Sequence, residues 1–240
     1  MNDRAGSRGS EDVESEGAMS LTDVPSSDFS SLYLSDHERS KTRRRTIEWT
    51  IPVLKDCGLE SGKILSAGCG NGMDVVELRE QGFQSVGFDL YPPAAQAAPW
   101  VAIARAHSIP FETGSFDAAV CLEVIEHIPR SERSAASKEL LRVIRPGGFV
   151  IIATPNRYFP ADEHASWLRI HSPFRDDTLS AKELEELFGR KGRTLTWKRY
   201  FQFERFGVLG VGINLAVTLF DNSLLHRSAL NPHLFLAFQK

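Results

Sequence analysis

From Lys63 onward the chain alternates short apolar runs with amphipathic ones. Residues 63–66 (Lys-Ile-Leu-Ser) read as a buried strand. Residues 73–81 place Val75, Val76 and Leu78 at helical spacing, and Gly82 closes that helix. Residues 85–89, 100–104 and 116–121 predict three further strands. Residues 131–143 predict a helix capped by Ser131. Arg145-Pro-Gly-Gly148 breaks it and opens a strand over 149–153. Ser180 with Glu183 forms a capping box for a helix reaching about Phe188. Residues 194–201 and 233–238 read as the last strands. Ahead of all this, Ile47, Trp49, Ile51, Val53 and Leu54 predict a helix packed on the sheet, its boundary blurred by Pro52. Such alternation predicts a parallel sheet covered by helices on both faces.

Composition narrows the class. With 240 residues, 42% hydrophobic and 25% charged, the chain suits one α/β domain with tails. Collagen-like, wholly disordered and membrane-spanning classes are excluded. The formal net charge of -3 offers no general attraction to phosphates, so a nucleic-acid partner is not expected. Cys57, Cys69 and Cys121 are too far apart for a disulfide framework or a metal knuckle, and a cytoplasmic location is the expectation. Residues 1–35, rich in Ser, Gly, Asp and Glu, read as a disordered acidic tail ahead of a 36–240 domain. The basic run at Arg39, Lys41 and Arg43 to Arg45 reads as a solvated helix face. Residues 206–220 are the most apolar stretch, but shorter than the roughly 20 residues of a membrane span. They read as a lid or packed helix, with membrane-surface contact as a second reading.

The segment Ser66-Ala-Gly-Cys-Gly-Asn-Gly72 joins the first strand to the helix after it. Glycine lets a backbone turn tightly and lets a ligand approach without a Cβ in the way. The helix behind it offers free N–H groups. Gly68, Gly70 and Gly72 give G-x-G-x-G, whereas dinucleotide sites take G-x-G-x-x-G, and Met73 stands where the last glycine would fall. That spacing disfavours a nicotinamide enzyme. Asp89 ends the next strand, where a carboxylate can accept hydrogen bonds from both hydroxyls of a ribose. A turn-residue role before Pro92-Pro93 is the plainer reading.

Six segments occur in order: 64–72 (ILSAGCGNG), 86–89 (VGFD), 109–111 (IPF), 114–117 (GSFD), 123–127 (EVIEH) and 145–148 (RPGG). Together they resemble the class I S-adenosylmethionine-dependent methyltransferases, in particular the broad small-molecule type 11 group. The resemblance is specific over 62–155. It implies a Rossmann-like, doubly wound, mostly parallel seven-stranded sheet with an antiparallel last strand. It also implies that Gly68, Cys69 and Gly70 embrace the methionine part of the cofactor, that Asp89 holds the ribose and that Leu90 packs on the adenine. Ala106 and His107 would lie by the adenine edge, and Cys121 with Leu122 by the sulfonium. Two positions depart from the pattern. Ser66 stands where the family usually carries an acid for the cofactor's amino group. Arg105 stands where an Asp often meets the adenine amine, and arginine has no acceptor.

Methyl transfer to a hydroxyl needs a base. Glu123, Glu126 and His127 follow the fourth strand, and on a helical turn they share a face. Three readings stay open. His127 is a general base, with Glu123 in the catalytic set. Alternatively Glu123, Glu126 and His127 bind a divalent metal completed by His164 or His171, as in some methyltransferases with a similar Glu-x-x-Glu-His segment. Or the group only fixes its loop through hydrogen bonds. Beyond Thr154-Pro-Asn-Arg157, residues 155–178 form an insertion on the substrate side, carrying Tyr158, His164, Trp167, Arg169 and His171. The expectation is methyl transfer from S-adenosylmethionine to a small-molecule hydroxyl: a sugar, a phenol or quinone precursor, or a lipid-linked intermediate. A non-catalytic protein with a degenerate cofactor site is the alternative. The oligomeric state is not legible.

Overall fold

The computed structural model describes residues 41–70, 72–90, 100–158, 177–194 and 233–240. The element order is α1 (Lys41–Asp56), β1 (Lys63–Ala67), α2 (Met73–Glu80), β2 (Gln84–Asp89), β3 (Val101–Ile103), β4 (Phe116–Leu122), a 3-10 turn (Ile125–His127), α3 (Arg130–Val143), β5 (Ile144–Pro155), α4 (Ala181–Phe188), β6 (Arg193–Thr194) and β7 (His233–Gln239). The strands form one sheet in the order β3-β2-β1-β4-β5-β7-β6. β6 is a two-residue edge piece, so six strands carry the sheet. Neighbours from β3 through β5 pair in parallel, and β7 runs antiparallel to both β5 and β6. This is the Rossmann-like, mostly parallel arrangement with an antiparallel last strand.

The central strands read as continuous apolar runs because both of their faces are covered. Ala119 and Cys121 of β4 join the core formed with α3 and α4, including Leu140, Val143, Leu184 and Phe188. Ala118, Val120 and Leu122 point the other way, into the core beneath Ile47, Ile51, Val53 and Leu54 of α1. That packing carries α1 straight through Pro52. An interior proline costs about 3 kcal/mol, and the buried stripe around it outweighs that loss.

Two local expectations are corrected. The helix α3 starts at Arg130 with Pro129 as its cap residue, and no side chain caps it, Ser131 included. Pro129 arrives with φ -51, and its carbonyl accepts the Glu132 N–H at 2.8 Å, so the helix begins one residue early. Arg145-Pro-Gly-Gly148 does not delay β5 to Phe149; β5 begins at Ile144, with a bulge opposite Phe116 and Ala118. The capping box of Ser180 and Glu183 is present. The acidic tail, the stretch 206–220, and all but Arg193 and Thr194 near the proposed 194–201 strand lie outside the described residues. Among the described residues no helix is long and apolar enough to cross a membrane.

Candidate active site

Parallel strands deliver their carboxyl ends to one edge, where ligands bind in such sheets. β1 ends there in the glycine loop. Gly68, Gly70 and Gly72 have φ of 68, 57 and 83, a left-handed conformation that β-carbon-bearing residues adopt only with strain. The loop is bonded down onto β2. The N–H groups of Gly68 and Cys69 donate to the Phe88 carbonyl at 2.8 and 3.1 Å. The Gly70 N–H donates to Asp89 Oδ2 at 2.7 Å. Asp89 is thus fixed at the loop's rim by a charge-assisted bond. Cys69 is fully buried, and a Cβ on Gly87 would sit 2.6 Å from its Sγ. The loop seats on β2 only because residue 87 is glycine.

Beside Asp89, Leu90 and Ile103 are 52% and 55% exposed. Asp89 and Ile103 stand in register on β2 and β3. Two exposed apolar side chains flanking a carboxylate give a surface suited to a flat apolar ring bearing a hydroxylated sugar. After β3, the Ala104 N–H donates to the Asp89 carbonyl at 2.9 Å. Arg105 is exposed, Ala106 and His107 are half-buried, and His107 Nε2 lies 3.4 Å from Glu132.

The end of β4 carries the candidate chemistry. Glu123 has φ 56, the one positive-φ residue other than glycine among the described residues. Such a conformation costs on the order of 1–3 kcal/mol and marks positions held by their surroundings. Here the Glu123 N–H donates to the Ala153 carbonyl at 2.9 Å. Only residues 125–127 then make a 3-10 turn, so the shared helical face expected for Glu123, Glu126 and His127 does not form. Glu126 turns inward, 5% exposed, and its Oε2 accepts from Thr154 Oγ1 at 2.9 Å. His127 turns outward, its side chain 64% exposed, with Nε2 4.0 Å from Glu126 Oε1. No group of three His, Cys, Asp or Glu side chains placed to hold a metal occurs among the described residues. His164 and His171 lie outside them.

Loop and turn touch. A Cβ on Gly68 would fall 2.6 Å from both Val124 methyls, so the turn bearing His127 packs directly on the glycine loop. Ser66, Cys69, Cys121 and Leu122 are 1%, 0%, 1% and 3% exposed. Cys69 and Cys121 pack in the core on the α3 side of the sheet and Leu122 in the core under α1. Burial pushes the Cys121 thiol far above its usual range, with the Glu126 charge adding to it. A thiolate nucleophile is unavailable there.

Sequence reasoning missed several supports. Glu139 and Arg142 of α3 hold the 109–111 segment: Glu139 Oε2 accepts from the Ile109 N–H at 3.0 Å, and Arg142 donates to the Ile109 and Phe111 carbonyls, both at 2.9 Å. Arg133, 5% exposed, ties the 3-10 turn to α3. Its signal was available, since counting back from buried Leu140 by seven residues reaches Arg133. Asp117, part of the fourth matching segment, works at the opposite sheet edge. It accepts from the Lys63 N–H at 2.7 Å and from Arg145 Nε at 2.6 Å.

A family model described as a methyltransferase domain matches residues 36–196. The chain belongs to this methyltransferase family. Class I members take S-adenosylmethionine as cofactor, and the cradle, carboxylate and apolar flank described above fit that molecule. A ubiquinone biosynthesis O-methyltransferase of Alkalilimnicola ehrlichii is 28% identical over 172 residues, covering 57% of this chain and 66% of that protein. A tRNA (carboxymethyluridine(34)-5-O)-methyltransferase of Arabidopsis thaliana is 35% identical over 137 residues, covering 55% of this chain and 31% of that protein. The chain therefore spans less than two thirds of either relative's length. A putative methyltransferase from an antibiotic biosynthesis pathway of Anabaena variabilis superposes with a TM-score of 0.56 at 18% identity, covering 84% of this chain and all of that one. That likeness is one of fold.

Proposed function

We propose that this methyltransferase transfers a methyl group from S-adenosylmethionine to a hydroxyl oxygen of a small-molecule acceptor, with His127 taking the hydroxyl proton. The observation that carries the reading is the contact of Gly68 with Val124, which joins the cofactor cradle to the turn bearing His127. When bound, the cofactor supplies an activated methyl group, so the protein's work is to hold, orient and deprotonate.

In this reading Gly68, Cys69 and Gly70 present main-chain groups to the methionine end, with Ser66, Cys121 and Leu122 beneath. Asp89 accepts from the ribose hydroxyls. Leu90 and Ile103 cover the adenine face, and Ala106 and His107 border its edge. Glu126, anchored by Thr154, sets a carboxylate oxygen 4.0 Å from Nε2 of His127. Glu123 fixes the bend that brings the turn over the loop. Both relatives bear names that specify methylation at oxygen, which supports an oxygen acceptor. A phenol or quinone precursor, a sugar and a lipid-linked intermediate remain within this class.

Calorimetric titration with S-adenosylhomocysteine tests the cofactor half. Asp89→Ala removes a ribose partner worth about 1.5–3 kcal/mol, roughly ten- to a hundredfold in affinity. Equal affinity in the variant sinks the Asp89 assignment. If the native chain binds no cofactor, the degenerate-site alternative, motivated by Ser66 and Arg105, takes its place. A hydroxyl-acceptor screen with labelled cofactor, with and without chelator, tests the second half. His127→Gln should lower turnover by about two to four orders of magnitude. Loss of turnover on chelation would favour the metal reading of Glu123, Glu126 and His127.

A further inference from the structure

The turn that carries His127 is short. Its main-chain hydrogen bonds include His127 N–H to the Val124 carbonyl at 2.9 Å and Ile128 N–H to the Ile125 carbonyl at 3.4 Å. A single short turn leaves its later carbonyls without helical partners. Arg133 supplies them. Its Nε donates to the Ile128 carbonyl at 2.8 Å, and its Nη2 donates to the Glu126 carbonyl at 2.9 Å. These two carbonyls stand on either side of His127. The same Nη2 donates to the Asp177 carbonyl at 2.8 Å, where the chain returns from the substrate-side insertion.

Burying a guanidinium carries a desolvation cost, and burial does push the Arg133 side chain below its ordinary value. A side chain fastened to three backbone carbonyls on two segments sets their relative positions. The neighbouring Arg157 holds the same returning chain. Its Nε donates to the Thr178 carbonyl at 2.9 Å, and its N–H to the Leu179 carbonyl at 3.0 Å. Arg133 is the part of this arrangement that reaches the His127 turn.

We propose that Arg133 is the positioning residue of the active site: its guanidinium fork fixes the direction of the His127 imidazole by clamping the peptide group that precedes it and the carbonyl of Ile128 beyond it, and ties that direction to residue 177. The proposal rests on His127 being the proton acceptor, but its test does not. Lysine cannot replace the fork, because a compact ammonium cannot span three carbonyls set by a planar group.

The test uses the full chain with histidine ring labels, compared as native protein, Arg133→Met and Arg133→Lys. The His127 and His107 signals are assigned by their loss in His127→Gln and His107→Gln. His107 is the internal control, because its 3.4 Å contact with Glu132 reports whether α3 stays docked. The expected result is a displaced or broadened His127 ring signal in both variants, with His107 unmoved. An unmoved His127 signal overturns the proposal. So does joint movement of His127 and His107, which would make Arg133 a general fastener of α3. If Arg133→Met does not fold, Arg133→Lys carries the comparison alone. Undiminished turnover in His127→Gln would remove the base assignment while leaving this result standing.

Discussion

Adding one carbon at Gly87 should disturb both stability and cofactor binding. The residue lies inside β2, in register with Ser66 on β1 and Val101 on β3, so its backbone cannot slide aside. A Cβ there would lie 2.6 Å from Cys69 Sγ, 2.8 Å from Val75 Cγ2 and 3.0 Å from Cys69 Cβ. Unstrained carbon contacts begin near 3.5 Å, so each neighbour must retreat by several tenths of an ångström or more. Overpacking of this kind costs about 1–3 kcal/mol, offset by about 0.4–1 kcal/mol from the reduced freedom of the unfolded chain. The net, about 1–2 kcal/mol, lowers Tm by about 2–8 °C for a chain of this size. The neighbour that yields is Cys69, and moving it pulls the loop from the Phe88 carbonyl and from Asp89. S-adenosylhomocysteine should then bind about tenfold more weakly, a loss near 1.4 kcal/mol. Thermal unfolding and calorimetry of Gly87→Ala, alone and in a Cys69→Ala background, read both effects. The second background removes the worst contact, so the penalty should shrink there. A native Tm and native affinity in Gly87→Ala, or an equal penalty in both backgrounds, would refute the seating of the loop on Gly87.

Other outcomes follow from the same contacts. Gly68→Ala combines a φ of 68 with contacts of 2.6 Å to Val124, so Val124→Ala should recover only the steric part of its loss in denaturant titrations. Thr154→Val removes the hydroxyl that donates to buried Glu126 and should cost about 1.5–3 kcal/mol, while Thr154→Ser retains most of it. Arg142 hydrogen-bonds Glu139 and holds its carboxyl below the ordinary range. For Asp117 and Glu183, burial alone would raise the carboxyl, but donors from Lys63 and Arg145, and from Ser180 and Arg157, more than reverse it. A folded value below the unfolded one, about 3.9–4.3, gives stability that is complete above that range and lost as pH falls through the folded value. Tm should therefore hold above about pH 5 and fall below about pH 4, with a shallower fall in Glu139→Gln. A thiol reagent near neutral pH should leave buried Cys69 and Cys121 untouched in the native state, with half-buried Cys57 alone accessible; labelling of all three without unfolding would contradict their burial.

The glycine loop, Asp89 and most of the strands were legible because each signal is local. Left-handed turns need glycine, and buried parallel strands need unbroken apolar runs. Two of the failures, at Glu126 and at Pro52, have their cause in longer-range contacts. Nothing in residues 123–127 foretold that Glu126 would turn inward, because its partner Thr154 comes from another strand. Ser131 resembled a cap, yet Pro129, which arrives extended and leads straight into the first turn, decided where α3 starts. Pro52 looked like a boundary until the core beneath α1 outweighed it. Arg133 was hidden among charged neighbours, although its place on the buried stripe of α3 could have been counted.

Asn156 bridges Leu179 in parallel, and Arg157 binds both the carbonyl and the side chain at the far end of the same junction, through Thr178 and Glu183. The segments on either side of residues 159–176 are thus fastened to each other at one doorway. Segments of quite different length and composition can be spliced between 158 and 177 while the cofactor side keeps its own anchors at Gly70, Phe88 and Asp89. A graft at this doorway would change what lies between its two ends and leave those anchors in place.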